Sequence, residues 1–239
     1  MTEPPPSPTT NAIAPESPVT LARGEQPEID LEIKRSHFLG RAARTDDEAA
    51  ARTFIAAVRS QYPDARHHCS AFTVSPPDAR PIERSSDDGE PSGTAGGPIL
   101  DVLRGTGLTN TTVVVTRYFG GTLLGTGGLA RAYSQAAARA LRVATRVRLD
   151  TRNLWRVRVP VAEAGRLEAQ LRGRGGPDAI RVEETQWAAT HAVLTLSTPS
   201  ADAEALATQL AALTGGGAAA EPAGSRVIET ALATSPEHA

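Results

Sequence analysis

The chain has 239 residues, of which 40% are hydrophobic and 22% charged, so it can bury a core without metal or disulfide staples. A single cysteine, Cys69, excludes an internal disulfide, and no apolar run approaches the roughly 20 residues that a membrane span needs. No secretory leader is recognisable at the N-terminus. We therefore expect a cytoplasmic protein.

The formal net charge of -2 conceals a division along the chain. Residues 104–181 carry 14 basic and 4 acidic groups, whereas segments 1–103 and 182–239 each carry an excess of six acidic groups. A basic centre can bind phosphate, and it can equally neutralise acidic flanks within one fold. Charge alone favours neither interpretation.

The first 27 residues are proline-rich and lack apolar periodicity, which predicts a disordered tail. Residues 28–149 then have the pattern of one folded domain. Alternation in IDLEIK and HFLGRAA predicts a β-hairpin, and Thr45 with Glu48 forms a capping box before a helix. HHCSAFTVS and TTVVVTRYF predict two strands, the second of the buried kind. A short helix is expected from Pro98, and a long amphipathic one after Gly128.

The pattern restarts after a short linker at residues 147–153. Residues 154–230 predict the order βαββαβ, which is the ferredoxin-like arrangement, and residues 231–239 form a second tail. The predicted fold class is therefore α+β with two domains.

Eleven of the 21 glycines lie between Gly89 and Gly128. This concentration indicates backbone constraint, either in two long turns or where a partner approaches closely. GGTLLGTGG lies between a buried strand and a helix N-terminus, where free amides and the helix dipole favour an anion. Arg117 and Arg131 add positive charge on either side. This stretch is the best-motivated phosphate site in the sequence.

Asp87, Asp88 and Glu90 raise the question of acid chemistry or a hard cation. Their spacing fits no calcium loop, and the favoured interpretation is a solvated loop, or pairing of these acids with nearby arginines. His67 and Cys69 share one face of a predicted strand and do not complete a zinc site. We therefore predict no metal site, and assign His68 to the surface or to a groove.

Four stretches together resemble one family: EIKRSHF, DARHHCSAF, SDDGEPSGTAGGPIL and TRYFGGTLLGTGGLARAY. They are similar, in order and over residues 28–146, to the IMPACT/YigZ family. The resemblance implies an N-terminal α/β sandwich of the ribosomal-protein-domain-2-like type and a C-terminal domain resembling domain V of elongation factor G. It also implies a role in translation regulation.

The resemblance implies that the two glycine-rich stretches flank one binding groove. The residues expected in or beside this groove are Asp87, Asp88, Glu90, Ser92, Thr94, Arg117, Tyr118, Gly120, Gly121, Gly125, Gly127, Gly128, Arg131 and His68.

The leading hypothesis is a non-catalytic protein that binds RNA or the ribosome. One alternative is an enzyme acting on a small phosphorylated or peptide substrate, with a carboxylate-bound metal. Another is a protein-interaction adaptor whose Pro-rich tail is a polyproline ligand. No cofactor, membrane partner or sequence-specific DNA contact is expected.

Overall fold

The computed structural model describes residues 17–76, 79–176 and 179–232. These ranges contain five helices and two sheets, and no helix within them is long and apolar enough to cross a membrane. In chain order the elements are β1 (Val19–Leu21), β2 (Ile29–Ile33), β3 (Ser36–Arg44), α1 (Glu48–Gln61), β4 (His67–Val74), β5 (Ile82–Ser86), α2 (Gly96–Thr106), β6 (Thr111–Tyr118), α3 (Gly125–Val143), β7 (Arg146–Pro160), α4 (Val161–Arg172), β8 (Arg181–Trp187), β9 (His191–Thr198), α5 (Ala203–Thr214) and β10 (Ala220–Ala231).

The first sheet has the strand order β2-β3-β6-β4-β5, and all of its pairs are antiparallel. Helices α2 and α3 pack on one face around Phe38, Val113 and Tyr133. Helix α1 packs on the other face, where Ala51 meets Phe72. Because both faces are covered, the central strand β6 is buried along its length, which confirms the predicted buried strand.

All three helices of this unit begin at other residues than predicted. Helix α2 begins at Gly96, two residues before Pro98. The cap of α1 is Asp47, whose carboxylate accepts a hydrogen bond from the amide of Ala50. The predicted cap, Thr45, is instead buried, and its hydroxyl lies 2.7 Å from that of Thr112. Helix α3 begins at Gly125, because its glycine-rich first turn leads directly into the buried core positions of the helix. The second half of GGTLLGTGG is therefore helical.

The second sheet has the strand order β10-β7-β9-β8, with β1 also paired to β7. Helices α4 and α5 pack against it through a separate core that includes Trp155, Leu194 and Leu210. The elements from β7 to β10 follow the order βαββαβ.

The pairing of strand β7 with its neighbours shows that two predictions from the sequence were wrong. Residues 147–153, predicted as a linker, are part of this 15-residue strand because they pair with β10 along their length. Strand β1 lies within the segment predicted to be disordered, and that prediction was wrong for Val19–Leu21, where Leu21 is fully buried. The proline-rich residues 1–16 and the end of the second tail, 233–239, lie outside the described residues.

Candidate functional site

The acidic loop after β5 is held by its own first carboxylate. Oδ1 of Asp87 accepts hydrogen bonds from the amides of Ala95 and Gly96 at 3.0 and 2.8 Å, and Oδ2 accepts one from the amide of Gly93 at 2.8 Å. Burial by itself raises the pKa of Asp87, but the three amide donors together hold it below its usual value. This carboxylate therefore fixes the entry into α2.

Asp88 ties the same loop to α1 and β4. Its backbone is left-handed, with φ of 42°, and its carboxylate accepts from Arg59 at 2.6 Å and from the amide of His68 at 2.7 Å. Nδ1 of His67 donates to the carbonyl oxygen of Asp88 at 2.9 Å. Burial opposes ionisation of Asp88, yet Arg59 and the His68 amide lower its pKa.

Glu90 is the centre of a buried charged cluster. Its Oε1 accepts hydrogen bonds from Nη1 of Arg117 at 2.6 Å and from the hydroxyl of Tyr133 at 2.8 Å. Only 4% of the Glu90 side chain and 8% of the Arg117 side chain are exposed. The guanidinium lies 5.5 Å from the ring centre of Phe38 and 5.6 Å from that of Phe119. Arg117 is thus neutralised within the fold.

The three predicted acids therefore have three separate sets of partners. Asp88 and Glu90 pair with arginines, as the favoured interpretation of these acids expected. Within the described ranges, no group of three His, Cys, Asp or Glu side chains is arranged to hold a metal ion. In the same loop, the hydroxyl of Thr94 donates to the carbonyl oxygen of Pro91 at 2.6 Å, and Ser92 is exposed.

The glycine-rich loop after β6 packs against the β2–β3 hairpin. A Cβ atom on Gly120 would lie 2.0 Å from the carbonyl carbon of Arg35, so only glycine fits there. Its amide donates to Oγ of Ser36 at 3.0 Å. Gly121 and Gly125 both have positive φ, whereas Gly127 and Gly128 lie in the first turn of α3.

The predicted groove residues do not all line one cleft. Arg131 is exposed on α3 and borders a depression beside Pro98 and Asp101. His68 is only 3% exposed, and its Nε2 donates to the carbonyl oxygen of Tyr62 at 3.0 Å. The surface alternative for His68 was therefore wrong, and its side chain lines a cleft between α1 and the strands β4 and β5.

A cleft of about 610 Å³ opens where β4 begins and β6 ends. We call it the strand-end cleft. The hydroxyl of Tyr118 donates to Asp64 across it at 2.9 Å. Phe119 is 55% exposed and Leu123 84%, so apolar side chains form part of its rim. The lining residues are Asp64, Ala65, Arg66, His67, Arg117, Tyr118, Phe119 and Leu123.

Three exposed cations lie at or near this cleft, and we call Lys34, Arg35 and Arg66 the basic rim. Arg66 lines the cleft, whereas Lys34 and Arg35 lie on the hairpin tip that packs against the glycine-rich loop. Lys34 and Arg35 form the tip of the β2–β3 hairpin with φ of 48° and 68°, and Nη2 of Arg35 donates to the hydroxyl of Thr122 at 3.3 Å. Among the described residues, the ion pairs involve none of these three cations.

The cations of the basic rim were not among the predicted binding residues, although EIKRSHF and DARHHCSAF contain them. A two-residue gap between alternating strands was the available signal for the hairpin tip.

The chain matches known proteins over this same region. A model of the Impact N-terminal domain matches residues 34–141. An IMPACT family member encoded in a pol 5′ region of Thermus thermophilus is 44% identical over 142 residues, which are 59% of this chain and 75% of that protein. The chain belongs to the IMPACT family. The matched range includes the basic rim and the whole strand-end cleft.

Other IMPACT family members agree with this assignment. YigZ of Escherichia coli K12 is 47% identical over 133 residues, covering 56% of this chain and 61% of YigZ. YvyE of Bacillus subtilis 168 is 39% identical over 151 residues, covering 62% and 67%. The match thus spans about three fifths of the length of YigZ. A crystal structure described only as a hypothetical protein aligns with 35% identity and a TM-score of 0.53, covering 86% of this chain and 96% of that one.

Proposed function

We propose that this IMPACT family member is a non-catalytic protein that binds RNA, free or within the ribosome, through the strand-end cleft and its basic rim. One observation carries the proposal: Arg66 lines a cleft with an exposed Phe119 on its edge, and Lys34 and Arg35 lie on the hairpin tip packed against the loop that follows Phe119. None of these three cations has a carboxylate partner among the described residues. Cations neutralise phosphates, and an exposed aromatic ring stacks on a base whatever its sequence.

The buried cluster supports this surface from below. Arg117, which is paired with Glu90, lies 5.6 Å from the ring centre of Phe119 and therefore helps to hold the ring at the rim. The fit of Gly120 against the backbone of Arg35 keeps the glycine-rich loop beside the hairpin tip. Both contacts pre-organise the surface, which lowers the entropy cost of binding.

We also infer a role in translation and the architecture that goes with it. Residues 28–149 would form a domain of the ribosomal-protein-domain-2-like type, and residues 154–230 a ferredoxin-like domain resembling domain V of elongation factor G. The βαββαβ order and the strand order β10-β7-β9-β8 support the second assignment. The second domain would assist docking, and such a binder would act in the cytoplasm.

Co-sedimentation with 70S particles and their subunits over a salt series tests the proposal. The variant to compare is Arg35→Ala with Arg66→Ala, and its control is Arg139→Ala with Arg142→Ala, which removes the same charge from the exposed side of α3. Loss of two phosphate contacts should reduce the slope of log affinity against log salt by about 1.4 for single-stranded RNA. Association that is flat in salt, or equally weakened in both variants, would contradict the proposal.

A second test distinguishes the contribution of base stacking on Phe119 from the contribution of the cations. Phe119→Ala should weaken binding to a single-stranded RNA by about fivefold or more, since one stacked base contributes roughly 1–3 kcal/mol. The salt slope should stay unchanged, because no cation is removed. A change in slope without a change in affinity at low salt would show that Phe119 does not contact a base.

A further inference from the structure

A second cleft lies on the opposite face of the first sheet. His67 and His68 are consecutive on β4, and their side chains therefore point to opposite faces: His67 lines the strand-end cleft, and His68 lines this one. The second cleft has a volume of about 360 Å³ and lies between α1 and the strands β4 and β5. We call it the α1 cleft. Its size is within the range of small-ligand sites.

Helix α1 and strand β4 each present one face to the α1 cleft. Helix α1 contributes positions i, i+3, i+4 and i+7, and β4 contributes alternate residues. In the β4–β5 register, Arg84 lies opposite Phe72, and Ser86 lies opposite Ser70. The lining residues are Arg52, Ile55, Ala56, Arg59, His68, Ser70, Phe72, Arg84, Ser85 and Ser86. The cleft therefore combines an apolar wall, hydroxyl groups and a cationic border.

The three arginines of the α1 cleft differ in whether a carboxylate already binds them. Arg59 is bound to Asp88. Arg52 makes only an exposed pair with Glu48, four residues earlier on the helix, and such pairs contribute about 0.3–0.5 kcal/mol. Arg84 has no carboxylate partner among the described residues, and its Nη1 donates to the carbonyl oxygen of Glu83. Arg84 and Arg52 can therefore turn to an anion at little cost.

A serine hydroxyl adds a polar group to the wall of the cleft. Ser70 is 5% exposed and lines the cleft. Its hydroxyl makes no hydrogen bond within the described part of the chain, and it is not fully enclosed. It can therefore bond to a molecule in the cleft.

We propose that the α1 cleft binds a ring-bearing phosphate, of the class of the nucleoside monophosphates. The ring would pack on Ile55, Ala56 and Phe72, the phosphate would bind Arg84 and Arg52, and the Ser70 hydroxyl would bond to a polar group of the ligand. Arginine matches phosphate through paired N–H donors. This site is separate from the proposed RNA surface and does not depend on it.

Calorimetric titration of the full chain with AMP, GMP, CMP and UMP tests this proposal. At least one nucleotide should bind more than tenfold tighter than adenosine or inorganic phosphate. Ala56 is exposed, so Ala56→Trp fills the cleft without disturbing the core and should abolish binding; Ala57→Trp, on the exposed neighbour, is its control. Arg84→Gln should weaken binding about tenfold, as loss of a charged hydrogen bond predicts, and Arg139→Gln should not.

Two results would overturn the proposal. One is the absence of nucleotide binding, or binding no tighter than that of inorganic phosphate. The other is binding that survives Ala56→Trp. The Arg35→Ala, Arg66→Ala variant should bind the nucleotide normally, so failure of the RNA proposal and failure of this one are distinguishable.

Discussion

The buried pair of Glu90 and Arg117 allows a quantitative test of the claim that Arg117 is structural. Arg117→Ala would leave the Glu90 carboxylate with the hydroxyl of Tyr133 as its remaining donor among the described partners, in a site where 4% of its side chain is exposed. Breaking a buried ion pair from one side costs about 3–5 kcal/mol, because an uncompensated charge remains. Since a domain is stable by only about 5–15 kcal/mol, the variant should be marginal.

Removing both charges should cost much less. In the double variant Glu90→Gln, Arg117→Met, an amide oxygen can still accept from Tyr133. The thioether of methionine can occupy the space between Phe38 and Phe119. Replacing a buried ion pair by neutral side chains of similar volume is often close to neutral. We therefore expect the double variant to regain at least about 2 kcal/mol relative to Arg117→Ala.

Urea unfolding followed by far-ultraviolet circular dichroism measures these differences. Tryptophan fluorescence is unsuitable, because Trp155 and Trp187 both belong to the second sheet. Arg139→Ala on the exposed side of α3 is the control and should change stability by less than about 0.5 kcal/mol. The reasoning would be refuted if Arg117→Ala lowered the free energy of unfolding by less than about 1 kcal/mol, or if Glu90→Gln, Arg117→Met were no more stable than Arg117→Ala.

Three further variants or treatments test other parts of the structure. Gly120→Ala should lower the free energy of unfolding by about 1–3 kcal/mol, because its Cβ would meet the backbone of Arg35. Gly127→Ala has open space around its Cβ in helix α3 and should raise the free energy of unfolding by up to about 1 kcal/mol. Thermal melts compare the two variants. The pKa of Asp87 is depressed by its amide donors, so its contribution is present above about pH 4 and lost as the pH falls through the folded-state value. The protection factors of the Gly93, Ala95 and Gly96 amides against hydrogen exchange, which are corrected for the slower intrinsic exchange in acid, should fall there, and in Asp87→Asn they should be low already at neutral pH. Burial raises the pKa of the Cys69 thiol to about 12, so a thiol reagent at pH 8 should react with it only as fast as the fold around Cys69 opens. Immediate reaction in native buffer would contradict this.

Local patterns predicted most of the elements, because each depended on neighbours in the chain. The long amphipathic helix expected from its 3.6-residue period is confirmed as α3, and Leu129, Tyr133 and Ala136 are buried on its apolar side. The strand β5 was not predicted, since its sequence IERSS is polar and only its pairing with β4 makes it a strand. Strand β1 was missed for the same reason: three residues are too few to show a period, and their partner in β7 lies more than 120 residues away.

The candidate site was harder to predict because charge type does not reveal charge pairing. Glu90 and Arg117 are 27 residues apart, and Tyr133 is 43 residues from Glu90, so nothing in the local sequence says that these side chains satisfy one another. The three cations of the basic rim stay exposed because they are on turns that no element covers: Lys34 and Arg35 on a hairpin tip, and Arg66 just before β4. An arginine inside a buried strand must find a counter-charge, whereas one on a turn need not. It follows that the arginine of the buried strand β6 is committed to Glu90, whereas the cations near the strand-end cleft that stay free to bind are those on turns.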